Sequence, residues 1–178
     1  MIIKWDITIP QLSGDQVRKA YVYLPESYEE DPERRYPVMY LFDGHNVFFD
    51  EDATYGTSWG MYDYMEESGK QLILVGIECN REGDGRLREY APVTFEDSEL
   101  GRIEGEGKRY MHWLIKELKP YIDGNFRTLP DRENTLICGS SMGGLMALYA
   151  ATTFNHVFQR AACLSPSLWV APGKMLEL

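Results

Sequence analysis

Apolar and polar residues alternate along residues 2–9 and again along 18–24, the two-residue period of strands with one covered face and one open face. The Ser13-Gly14-Asp15 turn signal between them predicts an antiparallel hairpin at a sheet edge, and Pro25 ends the second strand. The pattern then changes. Residues 36–42 and 72–77 are uninterrupted apolar runs, followed by the shorter runs 135–138 and 161–164, and such runs belong to strands buried on both faces of a parallel sheet. Helical spacing appears between them. Trp59, Tyr62 and Met65 share one stripe, with Thr57 or Ser58 as N-cap and Gly69 as the closing residue. Tyr110, Trp113, Leu114, Leu118 and Tyr121 share another and predict an amphipathic helix over about 108–122 despite Pro120, with all five side chains in the core. A further helix is expected over 144–154. The glycine-rich, charged stretch 83–107 is read as a loop at the margin of a site, without regular structure.

Strands and helices taking turns define an α/β chain: a mainly parallel sheet, helices on both faces and an antiparallel N-terminal hairpin. At 178 residues, with no internal repeat, low-complexity tract or linker, it forms one domain. A hydrophobic content of 44% supports a packed core. The net charge of −10 argues against nucleic acid, whose binding needs lysine and arginine opposite phosphates. Neither a secretory leader nor an apolar run of about 18 residues is present, so the expected setting is the cytoplasm, without membrane attachment. The expected partner is a small molecule, with a homo-oligomer left open. Cys79, Cys138 and Cys163 are odd in number and widely spaced, which favours buried thiols over disulfides. No H-E-x-x-H helix, phosphate loop or clustered ligand set is found, so neither metal nor cofactor is expected.

Chemistry concentrates at Gly139-Ser140-Ser141-Met142-Gly143, a G-x-S-x-G pattern between a buried strand and a helix. There the pattern has a mechanical meaning: a strained turn presents the Ser141 hydroxyl, and glycines on either side leave room for the bend. The helix that starts after Ser141 aims unpaired N–H groups at the site, the Met142 N–H first among them. A second oxyanion donor is expected from the end of the 36–42 strand, where Asp43-Gly44-His45 lies, and the His45 N–H is the nominee. Asp43, Gly44 and Ser140 are expected to border the substrate.

With these residues in view, the chain resembles the esterase family that contains enterochelin esterases, esterase D and the mycolyltransferases of the antigen 85 type. The resemblance spans nearly the whole chain. It rests on Tyr21-Val22-Tyr23-Leu24-Pro25, on Tyr36-Pro37-Val38 leading to Leu41-Phe42-Asp43-Gly44, on Arg88-Glu89-Tyr90 with Pro92, on the 139–144 motif and on Ser165-Pro166-Ser167-Leu168-Trp169. It implies an α/β-hydrolase fold, cleavage or transfer of carboxylic esters by a serine, an acid and a histidine, and no cofactor. Ser141 is then the nucleophile, with Met142 and His45 as oxyanion donors. Arg88 and Glu89 are read as a loop-ordering ion pair, and Trp169 either walls the acyl pocket or packs in the core. Three activities follow: an ester hydrolase, an acyltransferase on the same serine, or a binding module that has lost its acid and histidine.

The triad is incomplete in the sequence. In this fold the acid and the histidine follow the serine along the chain, and after residue 164 there is room for little more than a turn and a short helix. The strands that would carry them are expected beyond Leu178, which makes the chain a truncated form with little activity of its own. His156 lies about 15 residues along the helix from Ser141, on the order of 20 Å at 1.5 Å per residue. His112 falls between stripe residues of its helix. That leaves His45 as the one histidine placed to stand in as a base, although its expected role uses the backbone.

Overall fold

The computed structural model describes residues 1–170 and 172–175, the last two by their backbone alone. Six strands form the main sheet: β1 (Ile2–Thr8), β2 (Val17–Tyr23), β3 (Val38–Leu41), β4 (Ile73–Ile77), β7 (Thr135–Ser140) and β8 (Arg160–Leu164), in the spatial order β1-β2-β4-β3-β7-β8. The N-terminal pair is antiparallel and sits at the edge, as the alternation predicts, and β2 also meets β4 antiparallel. Every contact from β4 to β8 is parallel, which matches the apolar runs.

Alternation within the strands shows why both faces need cover. Ala20, Val22, Ile73, Val75 and Ile77 face one core, joined by Tyr110, Trp113, Leu114, Leu145 and Met146 from helices. Tyr21, Tyr23 and Leu74 face a second, smaller core with Val47, Phe48 and Met65. Each large side chain so buried contributes about 1.5–3 kcal/mol. Helices therefore lie on both faces, with Met61–Ser68 on the smaller core.

Four expectations change. The link between β1 and β2 is not a bare turn, because residues Pro10–Ser13 wind into one helical turn before Gly14. The helix expected to be capped by Thr57 or Ser58 starts at Met61, after Gly60 in a left-handed conformation, and no side chain caps it; Gly69 closes it as predicted. Residues 83–107 are not a plain loop. They hold a helix, Gly85–Glu89, and a small hairpin of β5 (Phe95–Asp97) and β6 (Gly101–Ile103), elements too short for periodicity to reveal. Cys163 is only half-buried, since its strand β8 is the outer one, while Cys79 and Cys138 are buried and all three are free thiols.

The long helix departs most instructively. It runs through Gly107–Trp113, a π-helical turn over Leu114–Leu118, and Lys119–Asn125. Pro120 has no N–H to give to the carbonyl four residues back, and the widened turn carries the helix past that gap. Tyr110, Trp113, Leu114 and Leu118 are buried as expected, but Tyr121 is exposed and Ile122 takes the inward position.

Candidate active site

Between β7 and the helix Met142–Thr153 stands one residue, Ser141, with φ 57° and ψ −118°, a conformation that side-chain-bearing residues rarely adopt. Its neighbours hold it there. The Ser141 N–H donates to the Leu164 carbonyl at 2.9 Å, and the Ser141 carbonyl accepts from Leu145 N–H at 3.0 Å and Ser167 N–H at 3.1 Å. Gly139 and Gly143 make the bend possible by touching: a Cβ on Gly139 would stand 2.3 Å from the Gly143 carbonyl group. One on Gly144 would lie 2.7 Å from the Leu164 carbonyl oxygen. Ser141 itself is exposed, and its Oγ lies 3.1 Å from Ser167 Oγ. The Met142 N–H, first in a 12-residue helix, meets no acceptor among the described residues.

One strand over, β3 ends in a second strained turn. Asp43 has φ 56°, and Gly44–Asn46 follow as a 3₁₀ turn. Gly44 presses on β4, where a Cβ would fall 2.4 Å from the Gly76 carbonyl carbon. The Asp43 N–H donates to Tyr90 Oη at 3.0 Å, and its carboxylate accepts two parallel bonds from Arg86, 2.7 Å from Nε and 2.8 Å from Nη2. The His45 N–H, like that of Met142, finds no acceptor among the described residues. The buried His45 ring pairs through Nε2 with Thr54 Oγ1 at 3.0 Å, while Nδ1 has no partner. Burial pushes the imidazole below its ordinary 6.5, against the upward pull of Asp43, so the ring is neutral at pH 7.

Arg88 and Glu89, read as a pair from the sequence, do not join each other. Glu89 forms a fully buried ion pair with Arg18 at 3.0 Å and accepts the Asn80 N–H at 2.7 Å, whereas Arg88 reaches Glu106 at 3.2 Å. On a helical turn, neighbouring residues point apart. The helix Gly85–Glu89 is thereby anchored to β2 through Glu89 and delivers Arg86 to Asp43.

These elements enclose an open cleft of about 630 Å³. Ser141 and His45 line it together with Thr54, Cys79, Asn80 and Arg86. Asp43 and Gly44 lie behind the cleft wall, Ser140 is the last residue of β7, and the half-exposed Trp169 ring packs edge-on against Phe95 at 5.9 Å. His112 and His156 both border Phe154, on the helix flank away from Ser141. Arg86 and Thr54 are not singled out by the sequence, and Arg86 lies two residues before the quoted Arg88-Glu89-Tyr90. Cys79 reads there only as a buried thiol and Ser167 only as part of the quoted 165–169 segment, neither with a place at the site. Asp43, His45 and Cys79 also converge, each offering a metal-ligand atom within 4.8 Å of the others.

A mainly parallel sheet, helices on both faces and a serine on a strand-to-helix turn at the sheet's carboxyl rim define an α/β-hydrolase fold. The sequence profile of the family described as "Putative esterase" matches residues 13–175, and the chain belongs to that family. Among solved structures it is similar to an IroE-like serine hydrolase from Shewanella oneidensis, with a TM-score of 0.77 and 25% identity over 99% of this chain and 55% of that one. Among sequences it is 24% identical to the ferri-bacillibactin esterase BesA of Bacillus subtilis over 90% of this chain and 58% of that protein. It is 29% identical to the esterase Rv1288 of Mycobacterium tuberculosis over 82% of this chain and 28% of that protein. The chain thus spans little more than half the length of the first two. The acid and histidine expected beyond Leu178 lie outside the described residues.

Proposed function

We propose that Ser141 is the nucleophile of a carboxylic-ester hydrolase. The observation that carries this reading is the exposed hydroxyl held at positive φ on a cleft that His45 also lines, with the Met142 and His45 N–H groups meeting no acceptor among the described residues. In the full-length protein Ser141 Oγ attacks the ester carbonyl carbon, the two N–H groups bind the oxygen that becomes negative, and the alcohol departs. Water then releases the acid from the acyl-enzyme. Arg86 and Tyr90 act by positioning: they fix Asp43, which sets the turn that presents the His45 amide.

The hydroxyl needs a base, and its side-chain partner here is Ser167 rather than an imidazole. The neutral His45 ring is tied to Thr54. We place the histidine and the acid in the part of the full-length protein that its relatives possess and this chain does not span, with the protein working in the cytoplasm on a small ester. Loss of the base lowers serine-hydrolase turnover by roughly 10⁴–10⁶. The test is labelling with a fluorophosphonate followed by peptide mapping. The full-length protein should be modified at Ser141 and the 178-residue chain far more slowly; a full-length protein left unlabelled sinks the reading in favour of a binding module.

A further inference from the structure

The turn that presents the His45 amide also brings together, at the cleft wall, three side-chain donors that take no part in attack on the ester. Cys79 follows β4, Asp43 and His45 follow β3, and these neighbouring parallel strands bring three buried side chains of different donor type together within 4.8 Å. His45 is 2% exposed, and its Nδ1 has no hydrogen-bond partner, a buried polar atom left over by the fold. Both His45 and Cys79 line the open cleft, so an ion has a way in.

We propose that Asp43, His45 and Cys79 form a binding site for a thiophilic divalent cation of the Zn²⁺ type, with its fourth position open to the cleft beside Ser141. Thiolate, imidazole and carboxylate are each donors that zinc takes, and ligand distances near 2.0–2.3 Å place such donors roughly 3.5 Å apart around a tetrahedral ion. Small side-chain rotations close the difference. The ion displaces the Cys79 proton to solvent, and the ion, the thiolate, the carboxylate and the Arg86 guanidinium together carry one net positive charge, which solvent in the open cleft screens. Asp43 is already bonded to Arg86 through both oxygens. Each oxygen keeps a second lone pair, so the guanidinium weakens the site without filling it. A metal seated there crowds the His45 turn. If Ser141 is the nucleophile, as proposed above, the ion inhibits it.

The test is titration of the purified chain with Co²⁺ and Zn²⁺ after chelator treatment. Expected are one equivalent of Co²⁺ bound with a thiolate-to-metal charge-transfer band, displacement of that band by Zn²⁺, and a higher melting temperature with metal. C79S should abolish the band, and H45Q should weaken Zn²⁺ binding at least about 100-fold, more than loss of a group that merely orients a ligand. C138S and C163S should leave the band intact, as should S141A. R86Q, which frees the carboxylate, should tighten binding several-fold. Absence of the band in the wild-type chain overturns the site, as does its persistence in C79S or its loss in C138S or C163S. Circular dichroism of each variant separates lost ligation from lost folding. The band reads the thiolate alone, so an unreactive Ser141 in the full-length protein defeats the esterase reading and leaves this result standing.

Discussion

Two adjacent parallel strands, β3 and β7, end in the same way and to opposite effect. Each turns through a non-glycine residue at positive φ, Asp43 at 56° and Ser141 at 57°, and each leads into a helical turn. Asp43 is buried, and its side chain is clamped by Arg86 and its N–H taken by Tyr90. Ser141 has its backbone held by Leu164, Leu145 and Ser167, while its hydroxyl stands in the open with one weak partner. The same local strain is thus secured through side chain and N–H together at one strand end and through the backbone alone at the other. Only the second arrangement leaves a side-chain hydroxyl free, and the first fixes the turn that carries His45 to the same cleft.

The largest expected effect comes from removing the free group. In the full-length protein S141A should lower ester hydrolysis by roughly 10⁴-fold or more, measured as initial rate on an aryl ester, with the melting temperature little changed. Removing the clamp should show in stability instead. D43N breaks a largely buried, doubly bonded ion pair and should cost about 3 kcal/mol in denaturant unfolding. If D43N proves as stable as the wild type, the two strand ends are not secured differently.

Close packing comes next. G139A places a methyl group against the Gly143 backbone and should cost about 1–3 kcal/mol, whereas the exposed Gly124, where an added Cβ meets nothing, should accept alanine without loss. Strain itself gives a smaller effect of the opposite sign. S141G should stabilise the chain by about 1 kcal/mol, because glycine enters this conformation freely; S141A should not. The smallest effect concerns the loop that carries Thr54 to His45. The Asp50 carboxylate accepts the Ser58 N–H at 2.7 Å, and that bond holds its pKa below the ordinary 3.8. Its contribution is therefore complete above that value and fades as the pH falls through the lowered one. D50N should flatten the acid limb of a thermal-melting profile, and an unchanged limb would remove the loop from the β3 clamp.

Much of this was legible in the chain. Long apolar runs and clear alternation placed β1, β2, β3, β4, β7 and β8, and the flanks of the 139–143 motif placed Ser141 on its turn. What escaped was set by contacts remote in sequence. Arg86 meets a carboxylate 43 residues away, and Arg18 meets Glu89 at a separation of 71, so neither pair leaves a periodic trace. The helix Gly85–Glu89 and the β5–β6 hairpin are shorter than the window over which a period can be read. Thr57 and Ser58 had the right chemistry for a cap, but Gly60 turned the chain after them.

The π turn ahead of Pro120 acts as a phase shift. One added residue rotates everything after it by about 100° around the axis, so a stripe that reads 110, 114, 118 continues at 122 instead of 121. A chain with one residue deleted within 114–118 would restore the ordinary winding and leave Ile122 inward and Tyr121 exposed, because the deletion removes the residue that the wide turn absorbs. Alignments across this helix should therefore carry a single-residue gap wherever the proline is lost.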